Sequence, residues 1–352
     1  MRIDELRTRL RNLGAKPGHE HRILTAWTRA GSLDRRHSRA VDYLPQAVRA
    51  ALPDLLAELD GLARVRAEHP GRDGSARLLV ALSDGQTVES VLLPRDGVCV
   101  STQVGCAVGC RFCMTGRDGL LRQLGSAEIV AQVNLARDRR PVKKVVFMGM
   151  GEPAHNLDNV LEAIDLLGTV AGIGHKNLVF STVGDRRVFE RLPVGRVRPA
   201  MALSLHTTDP ALRAELLPKA PRIDPVELVA LAEGYARATG YPIQYQWTLL
   251  AGINDSEAEI DRLAKLLASK YAMMNFIPFN SVEGSGYQRP DWDHARTLAR
   301  RLNSHGILTK LRDSAGQDIE GGCGQLRARH LDGVPARLSR PSDGRAPGAP
   351  AG

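Results

Sequence analysis

Leu6, Leu10 and Leu13 recur at helical spacing with arginines between them, and Gly14 follows, so the pattern predicts a short helix over Asp4 to Leu13. Pro45 to Leu62 carries a second amphipathic pattern that ends near Gly61. The period then changes. Ala76 to Ala81 and Thr87 to Leu93 are apolar, β-rich runs separated by Ser83-Asp84-Gly85-Gln86, and Asp-Gly at such a junction predicts a hairpin. Residues 1–90 therefore read as an accessory module, helical first and then a hairpin. From Val98 onward strand-like and helix-like stretches alternate. The strands are expected over 98–103, 143–150, 177–183, 199–206, 242–250, 273–279 and 307–313, and the helices over 126–138, 157–168, 225–239, 256–270 and 292–305. Ser126 is the expected N-cap of the first of these helices, and Asp255, in competition with Ser256, that of the fourth. Repeated strand-then-helix units predict parallel strands with right-handed crossovers. Runs such as Val145-Val146-Phe147-Met148 suit strands covered on both faces. A complete eight-unit barrel takes about 250 residues, more than this region offers, so an open or partial barrel is expected. From Leu331 onward, Pro341, Pro347 and Pro350 stand among Gly, Ala and Arg with no material for a core, and a disordered tail is expected.

Composition narrows the class. The chain has 352 residues, 43% hydrophobic and 25% charged, the balance of a soluble globular protein with one large domain and a smaller one. No apolar run approaches the roughly 20 residues that cross a bilayer. The charged start Met1-Arg2-Ile3-Asp4-Glu5-Leu6-Arg7 lacks the apolar core of a signal peptide. A cytoplasmic, membrane-free monomer is expected. Lys and Arg number 48 against 39 Asp and Glu, a net +9 that suits a polyanionic partner without demanding one. Arg22, Arg29, Arg35, Arg36 and Arg39 make the N-terminal segment locally basic, which favours phosphates without supplying base specificity. A merely solvated arginine-rich surface is the alternative. Aromatic residues, at 4%, are too few for a surface that binds single strands mainly by stacking.

The five cysteines are used locally. Cys99, Cys106, Cys110 and Cys113 fall close together, and Cys323 stands alone near the C-terminal end, a placement of ligands or catalysts rather than a disulfide framework. In C-x3-C-x2-C, three thiolates on one tight loop can hold three irons of a [4Fe–4S] cube and leave the fourth open to another molecule. Zinc competes, although its cysteine sites use paired C-x2-C spacing and four closed ligands; three structural cysteines are the third reading. Phe112 reads as a shield for the site or as ordinary core. Met148-Gly149-Met150-Gly151-Glu152 follows a strand, where glycines admit a ligand to the backbone, or where the chain merely turns. Ser181, Ser204, Leu205, His206 and Asn280 fall at the C-terminal ends of further strands, the edge on which parallel α/β folds gather ligand contacts. Each alone reads as a satisfied buried residue. Cys323, flanked by glycines, suggests a mobile loop; Cys99 lies on the first barrel strand; either alone reads as an inert buried thiol. Alternation along Val88-Glu89-Ser90-Val91 allows Glu89 a solvated face.

C-x3-C-x-aromatic-C at the first strand of a (βα)6 pattern resembles the radical S-adenosylmethionine (SAM) superfamily. More narrowly, Cys99-Val-Ser-Thr-Gln-Val-Gly-Cys106, Phe147-Met-Gly-Met-Gly-Glu-Pro153, Ser181-Thr-Val-Gly184, Leu203-Ser-Leu-His206, Gly252-Ile-Asn-Asp255, Ile277-Pro-Phe-Asn280 and Cys323-Gly-Gln-Leu326 resemble the RlmN/Cfr family of RNA adenosine methyltransferases, in the family's order over about 85–330. The resemblance implies a partial (βα)6 radical SAM barrel over 91–330, an RNA-binding accessory domain over 1–90 and a tail over 331–352. It implies one [4Fe–4S] cluster on Cys106, Cys110 and Cys113, whose open iron chelates the amino and carboxylate groups of SAM. Gly151 and Glu152 would meet the methionine end, with Ser181, Ser204, Leu205, His206 and Asn280 completing the cofactor pocket. Cys323 would be methylated by one SAM; a radical from a second would take hydrogen from that methyl group, and the carbon radical would add to adenine. Cys99 would resolve the adduct through a transient disulfide with Cys323, and Glu89 would accept a proton. Two thiols are needed because adenine C2 and C8 are electrophilic carbons beyond the reach of ordinary nucleophilic methyl transfer. The implied partners are an adenosine of 23S rRNA or also tRNA, modified at C2 or at C8, and an external electron donor such as flavodoxin or ferredoxin. The chain departs from the family in its short N-terminal module, in Cys113-Met-Thr-Gly116, which resembles the Cfr side, and in Gly321-Gly322, where alanines are usual. These departures leave regiochemistry and substrate open. The rivals are a radical enzyme acting on a protein or small molecule, with no need of Cys99 and Cys323, and a non-catalytic RNA-binding metalloprotein.

Overall fold

The computed structural model describes residues 1–29, 43–282 and 284–328; Arg35, Arg36, Arg39 and the expected tail from Leu331 lie outside them. Two short helices open the chain, α1 (Ile3–Asn12) and α2 (Pro17–Thr28), and α3 (Gln46–Gly61) leads into three antiparallel strands, β1 (Ala63–Pro70), β2 (Ala76–Leu82) and β3 (Thr87–Leu93). The expected hairpin forms. Gly85 takes φ +84, and the Asp84 carboxylate accepts the Gln86 amide at 3.0 Å. β1 was not expected. Its alternation of Ala63, Val65 and Ala67 inward with Arg64 and Arg66 outward is regular, but small residues give it little strand signal.

β3 pairs antiparallel with β4 (Gly97–Cys99), and from there every neighbour is parallel: β4, β7 (Lys144–Phe147), β8 (Leu178–Thr182), β9 (Ala200–Ser204), β10 (Ile243–Leu249), β11 (Ala272–Pro278) and β12 (Thr309–Leu311). The intervening helices include α4 (Ser126–Arg137), α5 (Leu157–Thr169), α8 (Pro225–Thr239), α9 (Glu257–Leu267) and α10 (Trp292–Ser304), with the shorter α6 (Arg186–Arg191) and α7 (Pro210–Leu216) between β8, β9 and α8. The expected strand over 98–103 is shorter: after β4 the chain leaves the large sheet, and β5 (Gln103–Gly105) pairs with β6 (Leu120–Gln123) in a separate ribbon. The expected cap at Ser126 is also corrected. Gly125 is the N-cap, its amide taken by Glu128 at 2.7 Å, while the Ser126 hydroxyl accepts the Ile3 amide at 2.8 Å. At α9 Ser256 caps, accepting the Glu259 amide at 3.2 Å, and Asp255 instead accepts that of Gly252.

The sheet curls with its strands in chain order. In β10, Tyr245 and Trp247 are buried while Gln244 and Gln246 alternate to the other face, where they meet side chains of β3, β4, β7, β8 and β11 in one lumen. Among the described residues β12 pairs only with β11, so a seam remains and the barrel is partial. The chain beyond β12 crosses this seam to the hairpin: the Gly316 and Arg72 amides bond Asp73 and Asp318 at 3.0 Å each, and the Arg327 amide bonds Glu89 at 2.9 Å. No helix among the described residues is long and apolar enough to cross a membrane.

Candidate active site

Two adjoining cavities occupy the barrel. The upper one lies at the C-terminal strand ends and is walled by Cys106, Cys110, Cys113, Gly151, Glu152, Ser181, Ser204, His206, Asn280 and Cys323. The lower one follows the lumen and meets Cys99, Cys113, Lys144, Gln246, Asn275, Arg312 and Cys323. Cys323 borders both. The structure thus gathers every candidate residue except Leu205 and Glu89. Leu205 is fully buried and gives its amide to the Gln246 carbonyl at 3.0 Å, so it sets the backbone between two lining residues. Glu89 is completely buried, paired with Arg77 and with the Arg327 amide, and burial raises its carboxyl against the pull of Arg77.

The three clustered cysteines sit on the loop between β5 and β6. Among the described residues no three His, Cys, Asp or Glu side chains converge on one metal ion. A four-iron cube takes each thiolate on a different iron. The backbone N–H groups of Val108 and Gly109 face the Cys106 sulfur, and those of Thr115 and Gly116, with the Thr115 hydroxyl, face Cys113. Such donors stabilise sulfur that carries negative charge. Without a metal, burial pushes the Cys106 thiol up to about 12 and raises Cys110 and Cys113 as well; bound iron reverses this by favouring the thiolate. Three thiols with N–H donors facing two of them are a donor set that fits an iron–sulfur cube.

Glu152 is buried, and its two carboxylate oxygens accept the Ala154 and Val183 amides at 3.0 and 2.9 Å. Burial still carries its carboxyl up to about 7. Gly151 has φ +103, and a Cβ there would stand 2.6 Å from Gln103, whose side chain accepts the Glu152 amide at 2.7 Å. His206, at φ +65, accepts the Thr248 amide on Nδ1 at 3.0 Å and is neutral, because burial and then Arg213 push it down to about 3. Phe112 meets its ring edge-on at 4.8 Å; it lines the upper cavity and is also part of a small core with Val108 and Met114, so both readings of it hold. Asn280 donates to the Ser314 hydroxyl and to the Cys323 carbonyl at 3.0 Å each, and its buried Oδ1 has no partner among the described residues, an acceptor at the cavity wall.

Cys323 is exposed and borders both cavities. Its loop is pinned to the cysteine loop by the Met114 amide on Gly324 O at 2.7 Å and the Thr115 hydroxyl on Leu326 O at 2.7 Å. Burial, with the Cys323 thiol adding to it, pushes Cys99 up to about 12. Sequence reasoning missed Arg213. Its buried guanidinium donates to the Val183 and Ser204 carbonyls, so it ties together the ends of β8 and β9 beside Glu152 and Cys110. No motif marks it, since a buried arginine is visible only once the strand ends converge. Ser314 and Arg312 were missed for the same reason.

Residues 100–265 match the radical SAM superfamily. A probable RNA methyltransferase of Aromatoleum aromaticum is 74% identical over 94% of this chain and 93% of its own, and one of Thiobacillus denitrificans is 70% identical over 97% and 94%. The crystal structure of a radical SAM methyltransferase from Sphaerobacter thermophilus superposes with a TM-score of 0.82 at 34% identity, covering 94% of this chain and 98% of that one. Cysteine loop, barrel and relatives agree, and the chain belongs to the radical SAM superfamily, within the methyltransferase family that these relatives form.

Proposed function

We propose that the protein is a radical SAM RNA methyltransferase that methylates an amidine carbon of adenosine, C2 or else C8, in 23S rRNA or else in tRNA. The relatives' description as RNA methyltransferases and the net charge of +9 support the substrate class. One observation carries the reaction: Cys323 borders both cavities, and Cys99 lines the lower one beside it. A single thiol can therefore face a cofactor above and a base below.

In this reading Cys106, Cys110 and Cys113 hold a [4Fe–4S] cluster, and Gly151, Glu152, Ser181, Ser204, Leu205, His206 and Asn280 hold SAM. When bound, cluster and SAM supply a methyl group and a carbon-centred radical, with electrons from an external flavodoxin or ferredoxin. Cys323 gives up its proton and carries the methyl group as a thioether. That methyl, after losing a hydrogen atom, provides the carbon that bonds to adenine. Cys99 then attacks the Cys323 sulfur as a thiolate, forming the S–S bond as the C–S bond to the product breaks. The bonding pair stays on the former methyl carbon, which takes a proton to become CH3. The unpaired electron left by the radical addition leaves on the disulfide, which one further electron from the external donor and two protons return to two thiols. Glu89 receives the proton released from the adenine carbon, once its bonds to Arg77 and the Arg327 amide open.

Mass spectrometry of rRNA and tRNA from cells with and without the gene tests this reading. It expects a gene-dependent methyladenosine and reports its position. With the purified enzyme, Cys99→Ala should accumulate a covalent protein–RNA species that is absent from Cys99→Ala/Cys323→Ala. Unchanged RNA together with a methylated protein or small molecule overturns it.

A further inference from the structure

The lower cavity has a cationic end that the reaction does not use. Lys144, at the start of β7, and Arg312, just past β12, line it, with Lys310 on β12 and Arg95 in the β3–β4 turn beside them. All four are exposed, and among the described residues none pairs with a carboxylate. Elsewhere surface arginines here find acids: Arg122 meets Asp84 and Glu128, and Arg301 meets Asp261 and Glu257. The nearby carboxylates are engaged otherwise, Asp96 with Lys143 and Asp313 with Arg289 and Gln317. Cations held together without counter-charge repel one another. Partial burial against the lumen and then Arg312 and Lys310 push the Lys144 ammonium down, and partial burial and Arg95 do the same to Arg312 against the pull of Cys323.

The spacing gives the cluster a use. Cys99 pairs with Val146, and Gly97 with Lys144, so Lys144 stands two residues along the strand below the level of Cys99. At about 3.3 Å per residue this is roughly 7 Å, a separation that one nucleotide bridges. At the level of Cys99 the wall offers Val146 and Val179 to a ring face, and elsewhere in the lumen Gln246 and Asn275 offer polar groups to its edge.

We propose that Lys144 and Arg312, supported by Arg95 and Lys310, form a phosphate subsite that holds the backbone phosphate of the nucleotide whose base faces Cys323. The inference rests on the RNA reading above and adds to it the group by which the target nucleotide is seated. Phosphate contacts fix register without reading sequence, so this subsite sets the depth to which the base enters.

The test uses the reconstituted holoenzyme and a synthetic RNA hairpin carrying the adenosine identified by mass spectrometry. Lys144→Gln and Arg312→Gln should each weaken binding on the order of tenfold and lower the slope of log K against log salt by about one. Iron, sulfide and the methyl group on Cys323 should be unchanged in Lys144→Gln, because none of these needs RNA. A methylphosphonate placed on each side of the adenosine in turn should, at one of the two positions, reproduce the loss in the wild type and add nothing to Lys144→Gln. Additive losses at both positions, or variants with wild-type affinity and slope that still methylate RNA, overturn the subsite alone. A wild type that neither binds nor methylates the hairpin overturns the RNA reading and the subsite with it.

Discussion

Replacing Glu89 by Gln separates a structural role from a chemical one. Arg77 and Glu89 are both fully buried and paired, one on β2 and one on β3. Removing one partner of a buried pair costs about 3–5 kcal/mol, because a charge is left in the interior without its counter-charge. The two partners are not equivalent. A guanidinium stays charged, whereas a carboxyl that burial already pushes upward can take a proton instead. Glu89→Gln should therefore reach the upper part of that range, and Arg77→Met should cost less and recover further as pH falls. The double variant Arg77→Met/Glu89→Leu should be more stable than Glu89→Gln. Losses of this size are a large share of the roughly 5–15 kcal/mol that holds a domain folded, so urea titration resolves them. Glu89 also accepts the Arg327 amide, and Glu89→Gln should make the 316–328 segment more susceptible to limited proteolysis. Wild-type stability and proteolysis in Glu89→Gln, with turnover lost, would refute the structural role and leave only the proton acceptor.

Three further outcomes follow from the site. His206 is depressed to about 3, below its unfolded value near 6.5, so the stability it contributes is present above 6.5 and is lost as pH falls toward 3; His206→Asn should remove about 2 kcal/mol of that loss at pH 5, read from melting temperatures against pH, and an unchanged acid slope contradicts it. Gly151→Ala should cost about 1–3 kcal/mol from its φ of +103 and the contact with Gln103, and should weaken SAM binding in equilibrium dialysis; wild-type affinity argues that this turn lies outside the cofactor pocket. Ala at Cys106, Cys110 or Cys113 should abolish bound iron and sulfide in anaerobically purified protein, while a wild type holding only zinc defeats the cluster.

The alternating region was legible because each strand carries a contiguous apolar run and each helix a separate periodic one. Local signals therefore sufficed for β7 to β11 and for α4, α5, α8, α9 and α10, whereas the short α6 and α7 were not expected. Asp84-Gly85 made the hairpin legible for the same reason. What failed was non-local. Alternation left Glu89 a solvated face, yet that face is covered by residues near Arg327, and the opposite side of β3 meets α4 through Ser90 and Gln132 at 2.8 Å. Ser126 looks like a cap, but its hydroxyl is claimed by the amide of Ile3. The cations at the end of the lumen are scattered along the chain among many other arginines and lysines, and only the curl of the sheet sets them around one opening.

That curl also explains why the two separate cysteines meet. In a flat sheet with its parallel strands in chain order, β4 and β12 would be the most distant pair, and Cys99 on the first would never approach a loop that follows the last. Bending the sheet brings those two edges toward each other without pairing them, because β3 already occupies the free edge of β4. The remaining seam is bridged by the segment that carries Cys323, tied on one side to Asp73 and Glu89 of the hairpin region and on the other to Met114 and Thr115 of the cysteine loop. A closed barrel would leave this segment outside. A thiol that must serve a cofactor above and a base below is therefore placed where the fold is incomplete, and the antiparallel hairpin before the barrel supplies the surface that holds it there.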